Sequence, residues 1–96
     1  MPFSQEQKQV MKVMRRVVGG EIPDSDFKTP QEWAERGEDY GLKSVLVVLH
    51  DGGNQAPYLN LDYCAYKCHE KMAEALRDIG YYVEQCTCWY SAVYKA

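Results

Sequence analysis

Ser44-Val45-Leu46-Val47-Val48-Leu49 is a near-continuous apolar run, rich in β-branched residues and bounded by glycines at Gly41 and Gly52. A short run of this composition reads as a buried central strand. His50-Asp51-Gly52-Gly53-Asn54 follows as a dense cluster of turn formers. The next stretch, Ala56 to Leu61, admits two readings. It returns as an antiparallel strand, confined to a sheet edge by Pro57, or it is a loop leading into the next helix.

That helix is expected to start at Asn60 or Asp62 and to run to Ile79, with Gly80 as the residue just past its end. Cys64/Ala65, Cys68, Met72, Ala75/Leu76 and Ile79 form its inward stripe, and Glu70, Lys71, Glu74, Arg77 and Asp78 face water. The segment from Tyr81 to Tyr94 is the richest β-former stretch of the chain. It is long for one strand, so a bend or bulge is expected near Cys86 to Trp89. Strand, helix and strand in succession predict a right-handed β-α-β crossover between the two apolar strands.

Towards the N-terminus, Ser4 with Gln7 three residues on forms a capping box. Val10, Met11, Val13, Met14, Val17 and Val18 recur at helical spacing, and Gly19-Gly20 ends the run. A helix over 4–18 follows. Residues 20–28 read as a polar connector with Pro23, Asp24 and Ser25 as turn formers. Thr29-Pro30-Gln31-Glu32 is a second capping box with proline at the first helical position, opening a short helix that stops near Gly37 and is anchored by Trp33. The fold class is therefore α+β: two N-terminal helices and a small sheet of two to four strands packed by one long helix, with a β-α-β unit in the C-terminal half. Residues 1–96 are one domain. A chain of this length buries only about 60–65% of the surface it exposes when unfolded.

Apolar residues are 46% of the chain and charged residues 26%, which excludes collagen-like and wholly disordered classes. No apolar run approaches a membrane span. The opening Met1-Pro2-Phe3-Ser4-Gln5-Glu6-Gln7 lacks the basic-then-apolar order of a signal peptide. A cytoplasmic protein is expected. It would sit in the host cytoplasm if it is phage-encoded.

The net charge of −3 is uneven. Residues 1–16 carry +3, from Lys8, Lys12, Arg15 and Arg16 against Glu6. Residues 17–40 carry −5 and residues 41–96 carry −1. A duplex-binding domain usually shows a broad basic face, and here only the first helix offers one. The acidic third suits a basic surface on another macromolecule, where opposed potentials speed encounter. The plainer reading of both is an ordinary solvated face.

Three constellations bear on chemistry. Cys64 and Cys68 share a helix face, and Cys86 and Cys88 share a strand face, so four sulfurs would converge if helix and strand packed together. That gives a metal site, a disulfide or, most simply, four reduced thiols in the core. Neither pair has the CxxC spacing of zinc knuckles. The His50-Asp51-Gly52-Gly53-Asn54 loop leaves a strand at its carboxyl end, where open sheets place ligands, but a plain turn explains the same residues. A Cys86–His50 pair would need neighbouring strands with matched ends, and no serine sits in a GxSxG elbow. Finally, Tyr58, Tyr63, Tyr66, Tyr81, Tyr82, Trp89, Tyr90 and Tyr94 crowd the C-terminal half. Such side chains are either core or interface anchors.

These features predict a non-enzymatic interaction or inhibitor protein, with no cofactor, that binds a protein or nucleoprotein complex. Asp24, Asp26, Glu32, Glu35, Glu38, Asp39, Tyr82 and Tyr90 would form the contact surface, the acids lying in a groove that otherwise holds phosphates. Phages and mobile elements encode many such proteins, anti-CRISPR inhibitors among them. A nucleic-acid-binding regulator using Lys8, Lys12, Arg15 and Arg16 is the second expectation. A metal or redox module on Cys64, Cys68, Cys86 and Cys88 is the third. A homodimer through the aromatic terminal strand is open to all three.

Overall fold

Local capping chemistry sets the first helix. In the computed structural model, which describes residues 3–96, Ser4 Oγ accepts from the Gln7 backbone N–H and Gln7 Oε1 accepts from the Ser4 N–H. The helix α1 then spans Gln5–Val18 and ends at Gly19, whose φ of 69° suits glycine. Val10, Met11, Val13 and Met14 are its buried face. The signal-peptide reading begins at Met1 and Pro2, which lie outside the described residues.

The remaining elements are β1 (Phe27–Lys28), α2 (Pro30–Glu35), β2 (Leu46–Leu49), α3 (Ala56–Leu59), α4 (Tyr66–Asp78), β3 (Tyr81–Gln85) and β4 (Tyr90–Lys95), with 3-10 turns at Asp24–Asp26 and Leu61–Tyr63. The four strands form one sheet in the order β1-β2-β4-β3. Every neighbouring pair is antiparallel. This is a small α+β fold with β2 inside the sheet, as its apolar run requires.

The β-α-β expectation takes a split form. β2 and β3 run in the same direction around α4, but β4 lies between them and pairs with both. The cause is at Cys86–Trp89, which is a full reversal rather than a bend within one strand. Cys86 and Thr87 N–H groups both donate to the Tyr90 carbonyl, and Thr87 Oγ1 accepts from the Trp89 and Tyr90 N–H groups. Cys86 and Cys88 therefore sit in a turn, not on one strand face. The turn has no glycine, proline or asparagine, so its usual punctuation is missing. Gln85 Nε2 donates to Thr87 O and Asn60 Nδ2 donates to Cys88 O, so one adjacent and one distant side chain hold it.

Three further segments depart from the sequence reading. Ala56 to Leu61 is neither strand nor loop: Pro57 falls in the first turn of α3, where its missing N–H costs nothing. The long helix does not begin at Asn60 or Asp62. Asn60 Oδ1 caps the 3-10 turn instead, accepting from the Asp62 N–H, and Cys64 at φ 57° breaks the chain before α4 starts. Cys64 is consequently exposed, Cys68, Ala75 and Ile79 are half-buried, and Met72 and Leu76 carry the buried stripe. The connector over 20–28 contains β1 and two wholly buried side chains, Ile22 and Phe27. Two apolar residues without a period gave no helical or strand signal.

The second capping box forms as written, with Thr29 Oγ1 accepting from Glu32 N and Glu32 Oε1 accepting from Thr29 N. Trp33 on α2 is fully buried. Glu6 on α1 ties the helix to the sheet, accepting from Tyr81 Oη at 2.6 Å and pairing with Lys95 Nζ at 3.1 Å. The Tyr81 hydroxyl and Lys95 hold this carboxyl below its ordinary value. Among the described residues no helix is long and apolar enough to cross a membrane.

Met72→Ala should destabilise the fold by about 2–5 kcal/mol, because it empties a fully buried site. Cys64→Ser should change stability by less than about 0.5 kcal/mol, as expected of an exposed position. Urea denaturation of the two variants checks this, and comparable losses would restore Cys64 to the core stripe.

Candidate functional site

Strand alternation gives the sheet two faces. Leu46, Val48, Val93 and Tyr81 point towards α1 and α4, where they join Val10, Met14, Met72 and Leu76 in the main core. Val47 and Tyr90 point the opposite way and pack with Trp33, Leu49, Cys86 and Trp89. That second face is only half covered, and it is the candidate site.

Its covered half is aromatic. The Trp33 ring lies 5.0 Å from Tyr90 edge-on and 5.6 Å from Trp89. Arg36 stacks over both indoles, at 5.0 Å from Trp33 and 5.8 Å from Trp89, and its Nε reaches Glu38 Oε2 at 3.3 Å. The guanidinium thus roofs the cluster, held by ring quadrupoles on one side and a carboxylate on the other. Next along the face, Gly41 at φ 80° lies against Ala92 and Val47. A Cβ built there would meet Ala92 Cβ at 3.2 Å and Val47 Cγ2 at 3.4 Å, so glycine is needed for both conformation and approach. Ser44 Oγ donates to the Gly41 carbonyl at 2.6 Å and fixes the loop.

Beyond Ala92 the cover ends. Tyr94 follows two residues on along β4, and it is opposite Tyr82 of β3. Their rings stack 5.3 Å apart at 18°. Tyr82 is 47% exposed, and Glu84, on the same face of β3, is exposed beside it. Partial burial raises the Tyr94 pKa, and nearby Cys86 and Glu84 add to the rise, so the Tyr94 hydroxyl keeps its proton. Tyr94 and Glu84 were not among the sequence-predicted contact residues. Their place follows from the register of β3 on β4, which no local signal encodes.

The acidic residues separate into two groups. Asp24 pairs with Arg15 Nη2 at 2.6 Å. Asp26 accepts from Gln55 Nε2 at 2.8 Å, and Glu32 is spent in the α2 capping box. These three serve the fold. Glu35 and Asp39 are exposed and make no ion pair among the described residues, while Glu38 pairs with Arg36 at the border of the aromatic cluster. Tyr90 is 1% exposed, so it supports the face from beneath and offers no contact surface.

The basic stripe is also reduced. Arg15 donates to the Ile22 carbonyl, pairs with Asp24 and lies 5.1 Å over the Phe27 ring. Lys8, Lys12 and Arg16 are exposed on α1.

The buried polar groups cluster where β2 ends. His50 Nε2 lies 2.8 Å from Ser91 Oγ, and both residues are fully buried. Desolvation pushes the His50 pKa down, so the ring is neutral. Gln55 Nε2 also donates to the Leu49 carbonyl. Among the described residues, His50 Nδ1, Gln55 Oε1 and Trp33 Nε1 find no hydrogen-bond partner. A serine beside a histidine is a possible nucleophile and base, but neither reaches the surface here. Cys86 turns instead to the Trp33 cluster, where burial raises its thiol pKa and weakens it as a nucleophile. All four cysteines are free, with Cys64 and Cys88 exposed. Among the described residues no group of three or more His, Cys, Asp or Glu side chains gathers to hold a metal ion. Comparison with protein-family models, with curated proteins and with solved structures finds no match.

Because folding lowers the His50 pKa, the unfolded chain takes up a proton near pH 6.5 before the folded one does. Stability should be full above about pH 6.5 and fall progressively below it. Thermal melts across this range should show the decline, and His50→Gln should flatten it between pH 7 and 5 even if the variant is less stable throughout. An unchanged slope in the variant would assign the acid sensitivity elsewhere.

Proposed function

We propose that the protein is a non-enzymatic binding protein that inhibits a macromolecular partner through the half-open sheet face. The contact surface would comprise Tyr82, Tyr94 and Glu84, with Glu35, Glu38 and Asp39 along its border. The observation that carries this reading is the stacked Tyr82–Tyr94 pair, Tyr82 exposed and Tyr94 half-buried, on a face whose other half is covered by Trp33 and Arg36. Ordered tyrosines lose little entropy on binding and give large contact area. Carboxylates around them favour a basic partner surface, of the kind that holds nucleic-acid phosphates in a protein or nucleoprotein complex. Phage-encoded inhibitors of host defence, including anti-CRISPR proteins, are the class that this chemistry and size fit best.

A second reading rests on α1. Lys8, Lys12 and Arg16 are exposed at successive turns, make no ion pair among the described residues, and offer a narrow phosphate-binding stripe. With Arg15 engaged by Asp24 and Ile22, the stripe supports only weak, salt-sensitive binding.

In a binding assay with a partner captured from host lysate and then purified, Tyr82→Ala should weaken affinity by roughly tenfold or more. Glu35→Lys with Asp39→Lys should weaken it further and reduce its salt dependence. Asp24→Asn with Arg15→Gln should leave it close to wild type. If the face variants bind normally and Lys8→Glu with Lys12→Glu abolishes binding to oligonucleotides, the α1 reading replaces this one.

A further inference from the structure

The outer edge of β3 is a second open feature, separate from the sheet face. In its pairing with β4, Ala96 N–H donates to the Gly80 carbonyl and Cys86 N–H donates to the Tyr90 carbonyl. Bonded residues alternate in an antiparallel ladder, so Tyr82 and Glu84 also direct their backbone groups to β4. Tyr81, Val83 and Gln85 direct theirs outwards. β3 is terminal in the sheet, and among the described residues these outward groups meet no backbone partner. The other edge strand, β1, has only two residues.

Edge strands are normally blunted by proline, lysine, a bulge or a covering segment, because open ladders recruit other chains. β3 reads Tyr81-Tyr82-Val83-Glu84-Gln85, with neither proline nor lysine, and its register on β4 is unbroken. The strand is also complementary to itself. With a two-fold axis at Val83, Val83 meets Val83 of a second copy and Tyr81 meets Gln85, so every outward N–H finds a carbonyl. On the half-open face, Tyr82 then lies opposite Glu84 of the second copy, in the closely spaced non-hydrogen-bonded position. Each Glu84 carboxylate faces a tyrosine rather than another carboxylate.

We propose that two copies of this chain pair through β3 into one continuous eight-stranded antiparallel sheet. A two-fold axis perpendicular to the sheet keeps equivalent faces on the same side. The Tyr82–Tyr94 pairs of both copies and their bordering carboxylates then form a single surface. Five residues a side bury less than the roughly 1,200 Å² of a standard stable interface, so the dimer is reversible and concentration-dependent. It follows from the strand edge alone and does not rest on the proposed partner binding.

Sedimentation velocity of the protein by itself, under reducing conditions and from micromolar to submillimolar concentration, tests it. The wild type should pass from monomer to dimer. Val83→Pro removes an outward N–H and no bond to β4, and should leave a folded monomer. Tyr82→Asp sets a carboxylate opposite Glu84 twice and should weaken the dimer roughly tenfold, whereas Tyr82→Lys should retain or strengthen it. Far-ultraviolet circular dichroism verifies folding, and the Tyr82 pair decides the matter if the proline variant unfolds. A wild type that stays monomeric throughout, or a dimer indifferent to the sign of the charge at position 82, overturns the proposal.

Discussion

The antiparallel ladder between β2 and β4 is the constraint from which the rest follows. Leu46–Leu49 pairs in register with Tyr90–Val93, so each residue of one strand is assigned a face by the other. Slipping β4 by one residue against β2 would exchange the faces of β4, putting Val93 against Trp33 and turning Tyr90 into the helical core. The helices α1 and α4 pack on one face and bury Leu46, Val48 and Val93 in the main core. The small helix α2 and the loop through Gly41 cover about half of the other, and their reach ends at Ala92. What is open is defined by where that cover stops.

Electrostatics reinforce the division. Arg15, Asp24, Asp26, Gln55 and Glu6 are used to fasten the connector, the β2 end and α1 to the body of the fold. Glu38, paired with Arg36, borders the aromatic cluster, and Glu35 and Asp39 are exposed nearby in sequence. An exposed ion pair such as Arg36–Glu38 contributes little stability, usually below about 1 kcal/mol. The position of these carboxylates matters more for what the surface attracts than for how firmly the chain folds. The buried His50–Ser91 contact has the opposite character: it contributes to a fixed interior and presents nothing to solvent.

The parts legible from sequence are those governed by neighbours along the chain. Both capping boxes, the glycine end of α1, the Trp33 anchor and the β2 strand depend on residues within a few positions of one another. The hairpin at Cys86–Trp89 was illegible because its stabilising groups are Thr87, Gln85 and, from far away, Asn60. That one turn converts a bent strand into two strands. It also places Tyr94 beside Tyr82 and makes β3, not the terminal segment, the sheet edge. The candidate site was legible by residue type, as acids and tyrosines, but not by membership. Separating Asp24 and Asp26 from Glu35 and Asp39 requires knowing that Arg15 and Gln55 reach the first pair. Removing Tyr90 from the surface requires knowing that Trp33 lies over it.

The central claim is that a two-faced sheet, centred on β4, leaves one edge and half of one face open for macromolecular contact. Residue-resolved amide hydrogen exchange of the free protein addresses it most directly. In dilute solution the amides of Leu46, Val48, Tyr90, Ala92 and Tyr94 should exchange slowly, and those of Tyr81, Val83 and Gln85 rapidly, with the latter three slowing as concentration rises. Slow exchange at Tyr81, Val83 and Gln85 in dilute solution, or rapid exchange along β4, would contradict it.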